Sequence, residues 1–185
     1  MARLQTVTHE QVPEAFRQAF EELTADSGGV ITGGPGSITI NSPEMARRRN
    51  RLTHYLRYET TFPKRIQELA ILVTARAMDC PYIWNAHAPA ARQAGVSDAL
   101  IDAIRDRQAL PQTTADEAAI IAFGREFFDT HKVSDWTFQA ALAQFGAQHL
   151  VELTTLMGHY AQTAFILNAF AVNLPADRSE KVLPV

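Results

Sequence analysis

Apolar side chains recur along most of the chain at intervals of three or four residues, the spacing of one face of an α-helix. Thr8 and Gln11 form a capping box for a first helix, which is predicted to continue through Phe16 and Phe20. Only the stretch SITIN, residues 37–41, alternates in the manner of a β-strand. The pattern therefore predicts an all-α protein.

Capping residues indicate where most of the later helices begin. Ser42, followed by Pro43 and Glu44, is typical of a helix start, and the pair Thr114 and Glu117 forms a second capping box. The predicted helices run from Ser42 to about Tyr58, from near Pro63 through Met78, from Cys80 to Ala94, from Ser97 to Asp106, from Thr114 to near His131, from Ser134 onward, and from near Gln148 to about Asn173.

A glycine-rich segment separates the first predicted helix from the second. It spans Ser27–Pro43 and contains five glycines and two prolines. Such a composition is unfavourable for a helix, because glycine loses much conformational freedom on folding and proline lacks an amide hydrogen. We predict a turn or an ordered loop around Gly33–Gly36, with a plain structural role favoured over that of a lid.

Composition limits the classes of partner. The 185 residues carry a net charge of −3, which gives no electrostatic attraction toward nucleic acid or anionic lipid. The longest stretch without charged side chains, Leu153–Ala176, contains a histidine, a tyrosine and two asparagines and reads as a buried helix rather than a membrane span. The N-terminus lacks the apolar stretch of a secretory signal, so we expect a cytoplasmic protein.

Candidate chemistry is concentrated between Glu68 and His87. Cys80 is the only cysteine, which excludes an internal disulfide. Cys80, Ile83, Trp84 and His87 have offsets of 0, 3, 4 and 7, so they lie along one stripe of a helix. Glu68 stands in an apolar run one helix earlier, where a carboxylate is costly to bury without a partner. A hydrogen bond from His87 would satisfy it and fix the tautomer of the ring.

This spacing resembles the active-site pattern of the alkylhydroperoxidase D-like superfamily, which includes the carboxymuconolactone decarboxylase family. The likeness extends more weakly over about residues 35–175 and implies an all-α domain of about eight helices. A single domain over residues 1–185 follows, with residues 1–34 as N-terminal helix and glycine-rich loop and 176–185 as tail. The positions that carry the resemblance are Glu68–Leu72, Ala75-Arg76, Tyr82-Ile83-Trp84, His87 and Gly95.

The chain departs from the family at Ile83. Peroxidase members similar to this pattern use two cysteines three residues apart, and here Cys80 occupies the first position while Ile83 replaces the second. Decarboxylase members have a glutamate between the tyrosine and the tryptophan, and Ile83 replaces that residue too. The intramolecular disulfide cycle of the peroxidases is therefore not available to this chain.

The retained groups favour acid–base chemistry centred on His87. Imidazole exchanges protons near neutral pH, and Glu68 would orient it. The resemblance implies a cofactor-independent lyase or isomerase acting on a small organic acid or lactone, with Cys80 as a third catalytic candidate. Tyr82, Ile83, Trp84 and Arg76 are the predicted substrate-binding residues; Arg47, Arg51 and Arg57 are other candidate cations. The histidines form no HxH, HxxH or HExxH pattern, so no metal site is predicted.

Two other functions remain open at this point. Cys80 could act as the single cysteine of a peroxide reductase that is regenerated by an external thiol. The chain could also be a non-catalytic helical oligomer or ligand-binding protein in which Ile83 marks a decayed site. For either enzyme the expected partner is a small-molecule substrate, and the resemblance implies a homo-oligomer, as a dimer, trimer or hexamer.

Overall fold

The computed structural model describes residues 2–185, which contain helices and no β-strand. Short turns of 3₁₀-helix lie at His9–Gln11 and Ala25–Ser27, and a π-helical turn at Tyr55–Glu59 follows α3. The all-α prediction is confirmed. The helices are α1 (Glu14–Thr24), α2 (Gly34–Thr39), α3 (Pro43–His54), α4 (Lys64–Ala77), α5 (Pro81–Gln93), α6 (Asp98–Arg105), α7 (Ala115–Thr130) and α8 (Asp135–Ala169).

The chain divides into two compact units. The first consists of the chain up to Glu59 together with Phe165–Asn173, and the second consists of Thr60–Ala164 together with Leu174–Val185. Every candidate catalytic residue named above belongs to the second unit. The single domain over residues 1–185 and the homo-oligomer stay predictions. No helix within residues 2–185 is long and apolar enough to cross a membrane.

In the first unit, the prediction that the glycine-rich segment contains no helix is wrong. Residues Gly34–Thr39 form α2, and the strand-like alternation of SITIN falls partly within it. Pro35 lies in the first turn, where its missing N–H would have no partner in any case. Ile38 and Ile40 are buried, Ile40 in a cluster with Phe20. Burial of these side chains therefore offsets the poor helix propensity of the glycines.

The first helix begins later than predicted. The capping box of Thr8 and Gln11 is present, but it closes only the 3₁₀ turn His9–Gln11. Pro13 then precedes α1, which begins at Glu14. Because the residue before a proline is disfavoured in the α conformation, the chain leaves the helix before Pro13 and starts again after it.

In the second unit, α4 is the central element. Its residues from Ile66 to Arg76 are all buried, and it packs on α5, α6 and α7. The approach to α7 depends on Gly124, where a Cβ atom would lie 2.8 Å from Val73 Cγ1 and 2.3 Å from Met157 Cε. Polar residues within this buried stretch therefore lie inside the protein, and this applies to Glu68 and Arg76.

The boundary predicted between the last two helices corresponds to a break inside α8. Gly146 has φ +70° and ψ 169°, a conformation that side-chain-bearing residues rarely adopt. The helix ends at Ala169, four residues before the predicted Asn173. The tail is docked by Leu183, which is buried, and by an ion pair of 2.6 Å between Arg92 and Glu180.

Candidate active site

Glu68 and His87 meet because α4 and α5 are consecutive and packed together. The turn between them includes Asp79 at φ 45° and is closed by a hydrogen bond of 2.9 Å from Cys80 N to Ala75 O. Cys80 is the N-cap of α5 and Pro81 its first residue. This turn sets the direction of α5, so that its second helical turn brings His87 back beside Glu68.

The pairing of Glu68 with His87 is the central contact of the site. His87 Nδ1 lies 2.7 Å from Glu68 Oε2, a short, charge-assisted distance. The Glu68 side chain is fully buried, whereas that of His87 is 12% exposed. A carboxylate only accepts hydrogen bonds, so Nδ1 carries the proton and Nε2 is the nitrogen that can exchange one. The structure thus brings together the two residues predicted as acid–base partners.

Lys64 is a further member of the site that was not predicted. Its Nζ atom lies 3.2 Å from Glu68 Oε1, and it also donates to the side chain of Gln67. The side chain of Lys64 is 47% exposed, so its charge reaches the site from the solvent side. The signal was present in the sequence, because Lys64 and Glu68 are four residues apart on one helix. Each oxygen of Glu68 therefore faces a different proton-carrying group.

Tyr160, on α8, packs against the other side of the histidine. The ring centroids of His87 and Tyr160 are 5.0 Å apart and the rings are nearly perpendicular, at 88°. His159 and Tyr160 are both buried, and their rings are also in edge contact. The sequence left open an approach of this pair to the site from the last helix but favoured plain packing. The contact of Tyr160 with His87 depends on how α8 lies against α5, which no local pattern encodes.

Cys80 lies in the same helix as His87, but its environment disfavours the thiolate. The side chain is buried, and burial raises the pKa of the Cys80 thiol above its ordinary value. Hydrogen bonds from the backbone N–H groups of Ile83 and Tyr82 act in the opposite direction and are the smaller effect. At neutral pH the group is a neutral thiol that behaves mainly as a small apolar side chain.

The predicted substrate-binding residues of α5 have different exposures. Ile83 and Trp84 are buried in the core. Tyr82 is half-buried, and partial burial raises the pKa of its phenol. Their roles in binding stay predictions.

Arg76 is not brought together with His87. Its Nη1 atom donates to the carbonyls of Arg105, at 3.0 Å, and Pro184, at 2.7 Å. Its Nη2 atom donates to the carboxylate of Asp79. The guanidinium is buried and lies in the region where α4 ends, rather than beside Glu68.

The arrangement as a whole can hold and transfer one proton. A buried carboxylate orients an imidazole, a lysine balances the carboxylate, and apolar and aromatic side chains surround the ring. Within residues 2–185, no group of three or more His, Cys, Asp or Glu side chains is placed to hold a metal ion.

Comparisons with known proteins agree with this fold. Residues 43–126 match the carboxymuconolactone decarboxylase family, and this segment includes Glu68, Cys80 and His87. No curated protein is significantly similar to the chain in sequence.

Several solved structures share the fold. The chain is similar to an alkylhydroperoxidase AhpD core protein, peroxidase-related and uncharacterized, from Ralstonia eutropha, with a TM-score of 0.73 and 14% identity over 95% of this chain and 93% of that one. It is also similar to a protein of unknown function from Agrobacterium tumefaciens that is named as a candidate antioxidant defence protein AhpD. That pair has a TM-score of 0.68 and 20% identity over 76% of this chain and 97% of the other.

A third similar structure is a cysteine-to-alanine form of the debrominase Bmp8 in complex with 2,3,4-tribromopyrrole. Its TM-score is 0.69, with 13% identity over 93% of this chain and 91% of that one. At these identities the likeness shows a shared fold, and the prediction of an alkylhydroperoxidase D-like helical domain is confirmed.

Proposed function

We propose, from the premise that residues 43–126 belong to the carboxymuconolactone decarboxylase family, that this protein is an acid–base lyase or isomerase acting on a small organic acid or lactone. The observation that carries the proposal is the contact of 2.7 Å between His87 Nδ1 and the fully buried Glu68 carboxylate. The proposed reaction needs no cofactor, because its only requirement is a proton donor and acceptor at neutral pH.

His87 is the proposed proton-transfer group. Because Glu68 accepts the hydrogen bond from Nδ1, the proton to be transferred belongs to Nε2. When the ring takes up a second proton, the adjacent carboxylate stabilises the cation, as in other carboxylate–imidazole pairs. Glu68 therefore positions and supports the ring, and of these two residues His87 is the one that touches the substrate.

The two reaction types differ in which bond breaks. In a decarboxylation, the bond to the carboxyl carbon breaks, CO₂ leaves, and the electron pair remains on the substrate as an enolate. Cationic His87 then donates its Nε2 proton to the carbon and becomes neutral, and solvent reprotonates it before the next turnover. In an isomerisation, neutral His87 removes a proton from the carbon next to the carbonyl of an unsaturated acid or lactone and returns it at the far carbon of the resulting dienolate. In both cases a general acid–base contribution of about 10²–10⁴-fold is expected from the histidine.

Hydrogen–deuterium exchange at substrate carbon tests the proposal without knowledge of the product. The protein is incubated in D₂O with a panel of β-keto acids, unsaturated lactones and their ring-opened acids, and loss of C–H signals and release of CO₂ are followed by NMR. We expect at least one member to exchange, and we expect His87→Gln to slow that exchange by at least about 100-fold.

His131→Asn is the matched control. His131 is an exposed histidine at the end of α7 in the left-handed conformation, which asparagine tolerates, so this variant should exchange at the wild-type rate. Equal exchange by the wild type and His87→Gln would contradict the acid–base role. A wild-type protein that exchanges no member of the panel would contradict the substrate class.

A second candidate function is peroxide reduction by Cys80. It is favoured by the two backbone N–H groups that hydrogen-bond to the sulfur at the start of α5. One structure that shares the fold is named as a peroxidase-related protein, which also supports this candidate. In this reaction Cys80 would attack a peroxide oxygen and become a sulfenic acid while water or an alcohol leaves. Two equivalents of an external thiol would then reduce it.

The pH dependence of Cys80 alkylation distinguishes the two functions. Because burial raises the pKa of the thiol, we expect little thiolate below pH 8 and slow labelling that accelerates only at higher pH. Mass spectrometry after substoichiometric hydrogen peroxide should show an unmodified Cys80, with Cys80→Ala as the blank. Rapid formation of a sulfenic acid at pH 7, with turnover in the presence of dithiothreitol, would instead establish the peroxide reductase.

A further inference from the structure

A cavity rich in arginine lies in the same unit, apart from Glu68 and His87. It encloses about 470 Å³ and is bounded by the C-terminal half of α4, the end of α6 with the turn that follows it, and the later part of α7. Its polar lining includes three arginines, Arg76, Arg107 and Arg125. None of Glu68, Cys80 and His87 lines it.

The three guanidinium groups are held in different ways. Arg76 is buried, and its Nη atoms are held by two backbone carbonyls and Asp79. Arg107 is exposed and lies 2.9 Å from the same Asp79. Arg125 is half-buried, and no residue in the described range 2–185 forms a hydrogen bond or ion pair with it. One of the three cations is thus free to meet a ligand.

Arg76 is fixed beside the cavity. Its Nε atom is buried, and no acceptor within residues 2–185 lies in hydrogen-bonding range. The same burial keeps this atom out of reach of a ligand in the cavity, so Arg76 contributes its positive charge there rather than a hydrogen bond. Because the Nη atoms are already engaged, the guanidinium is held in place before a ligand arrives.

The charge balance of the cavity favours a monoanion. Asp129 also lines it, and Asp79 pairs with two of the arginines from just outside. The arginines that line the cavity outnumber its lining carboxylates by three to one, and Asp79 offsets part of that excess positive charge. A carboxylate matches both that charge and the planar geometry of a guanidinium, whereas a dianionic phosphate ester would exceed it.

Apart from Gln108, the remaining lining is apolar. Val73, Ile104 and Phe128 form much of it, and the volume falls in the range of small-molecule sites, roughly 300–1,000 Å³. A bare inorganic ion would leave most of this surface uncovered. The lining therefore suits a ligand with an apolar body of about the size of one aromatic ring.

We propose that this cavity binds a small organic carboxylate, with the anionic head at Arg125 and the apolar body against Val73, Ile104 and Phe128. The site is separate from the proton-transfer site, because Arg76 is eight residues beyond Glu68, or about 12 Å further along α4. The inference stands on the arginine cavity alone and does not depend on the function proposed for His87.

Titration with benzoate, followed by ¹H–¹⁵N NMR of the full-length protein, tests the proposal. We expect saturable shifts of backbone amides in residues 104–108 and 125–129, and little response to the neutral analogue benzyl alcohol. Arg125→Gln should weaken benzoate binding by about tenfold, the cost of one charge-assisted contact. Arg178→Gln is the matched control, since this exposed arginine lies outside the cavity and should leave binding unchanged.

A second variant and a second anion provide independent tests of benzoate binding in the cavity. Arg107→Gln removes an exposed cation of the cavity and should also weaken benzoate binding, so the result does not rest on one variant. Unchanged affinity in both variants, shifts confined to the surroundings of residues 68 and 87, or no saturable shift would each overturn the proposal. Inorganic phosphate should compete poorly with benzoate, and competition at equal concentration would overturn the preference for an organic monoanion.

Discussion

Two buried charged residues on α4, Glu68 and Arg76, show how one helix can serve two different purposes. Glu68 is fully buried, and its neighbours are the side chains of His87 and Lys64, both of which carry exchangeable protons. Arg76 is 7% exposed and is held mainly by two backbone carbonyls, which cannot change their protonation. The first arrangement suits chemistry, whereas the second suits a fixed cation that ties the end of α4 to distant parts of the chain.

This comparison predicts that the two residues fail in different ways when they are replaced. Loss of Arg76 should mainly reduce stability, because carbonyls of Arg105 and Pro184 lose their donor inside the protein. Loss of the charge at Glu68 should mainly reduce activity, because a side chain of the same shape can still fill the space.

The largest effect is expected for Arg76→Met. A buried carbonyl left without its donor costs about 1–3 kcal/mol, and Arg76 also binds Pro184 and the half-exposed Asp79, so the free energy of unfolding measured in urea should fall by about 3 kcal/mol. Arg107→Met is the control, since Arg107 pairs with the same Asp79 but is exposed, and it should change stability by no more than about 0.5 kcal/mol. An Arg76→Met protein as stable as the wild type would contradict the stabilising role of Arg76.

A somewhat smaller effect, and of a different kind, is expected for Glu68→Gln. Glutamine keeps an acceptor oxygen for His87 but cannot stabilise the imidazolium, so carbon–deuterium exchange should slow by about 100-fold. That factor corresponds to about 2.7 kcal/mol of transition-state stabilisation. In the double variant with His87→Gln the losses should be far from additive, because the two residues act as a unit.

Urea unfolding of Glu68→Gln tests whether Glu68 contributes less to stability than Arg76 does. We expect the urea midpoint to shift much less than in Arg76→Met. A stability loss as large as that of Arg76→Met, with exchange retained in the folded fraction, would mean that Glu68 is a structural ion like Arg76.

The smallest effect is expected for Lys64→Met. Lys64 is 47% exposed, and pairs that reach solvent contribute about 1 kcal/mol or less, so exchange should slow by only a few-fold. Lys64→Arg should restore most of the rate, and 1 M salt should bring the wild type closer to Lys64→Met by screening the charge. Exchange that is unaffected by Lys64→Met would exclude the lysine from the proton-transfer site.

Local signals predicted much of the fold. Ser97 accepts a hydrogen bond from Leu100 N at the start of α6, and the capping box at Thr114 begins α7 as expected. These interactions span three residues, so the sequence contains everything needed to recognise them. The segment Gly34–Thr39 was predicted wrongly because its helix depends on burial of Ile38 and neighbouring side chains, which are contacts with residues distant in the sequence.

The candidate site divides in the same way. The partnership of Glu68 and His87 could be predicted, because a carboxylate in an apolar run needs a donor and one faces it on the next helix. The four-residue spacing of Lys64 and Glu68 indicates an ion pair on one helix face, but a search for catalytic motifs does not detect it. The contact between His87 and Tyr160 could not be predicted from a local pattern, since it joins residues 73 positions apart.

From its amino-acid sequence alone, this protein is an all-α chain with one cysteine, no second thiol at Ile83, and a carboxylate and an imidazole on consecutive helices. These properties follow from residue identity and from spacings within a few helical turns. Tertiary packing buries Cys80 in surroundings that disfavour its thiolate and brings Tyr160 against His87. It also places Arg76 away from Glu68, at the edge of the arginine-lined cavity. Burial and pairing depend on all the elements that surround a side chain, and those elements come together only when the chain folds.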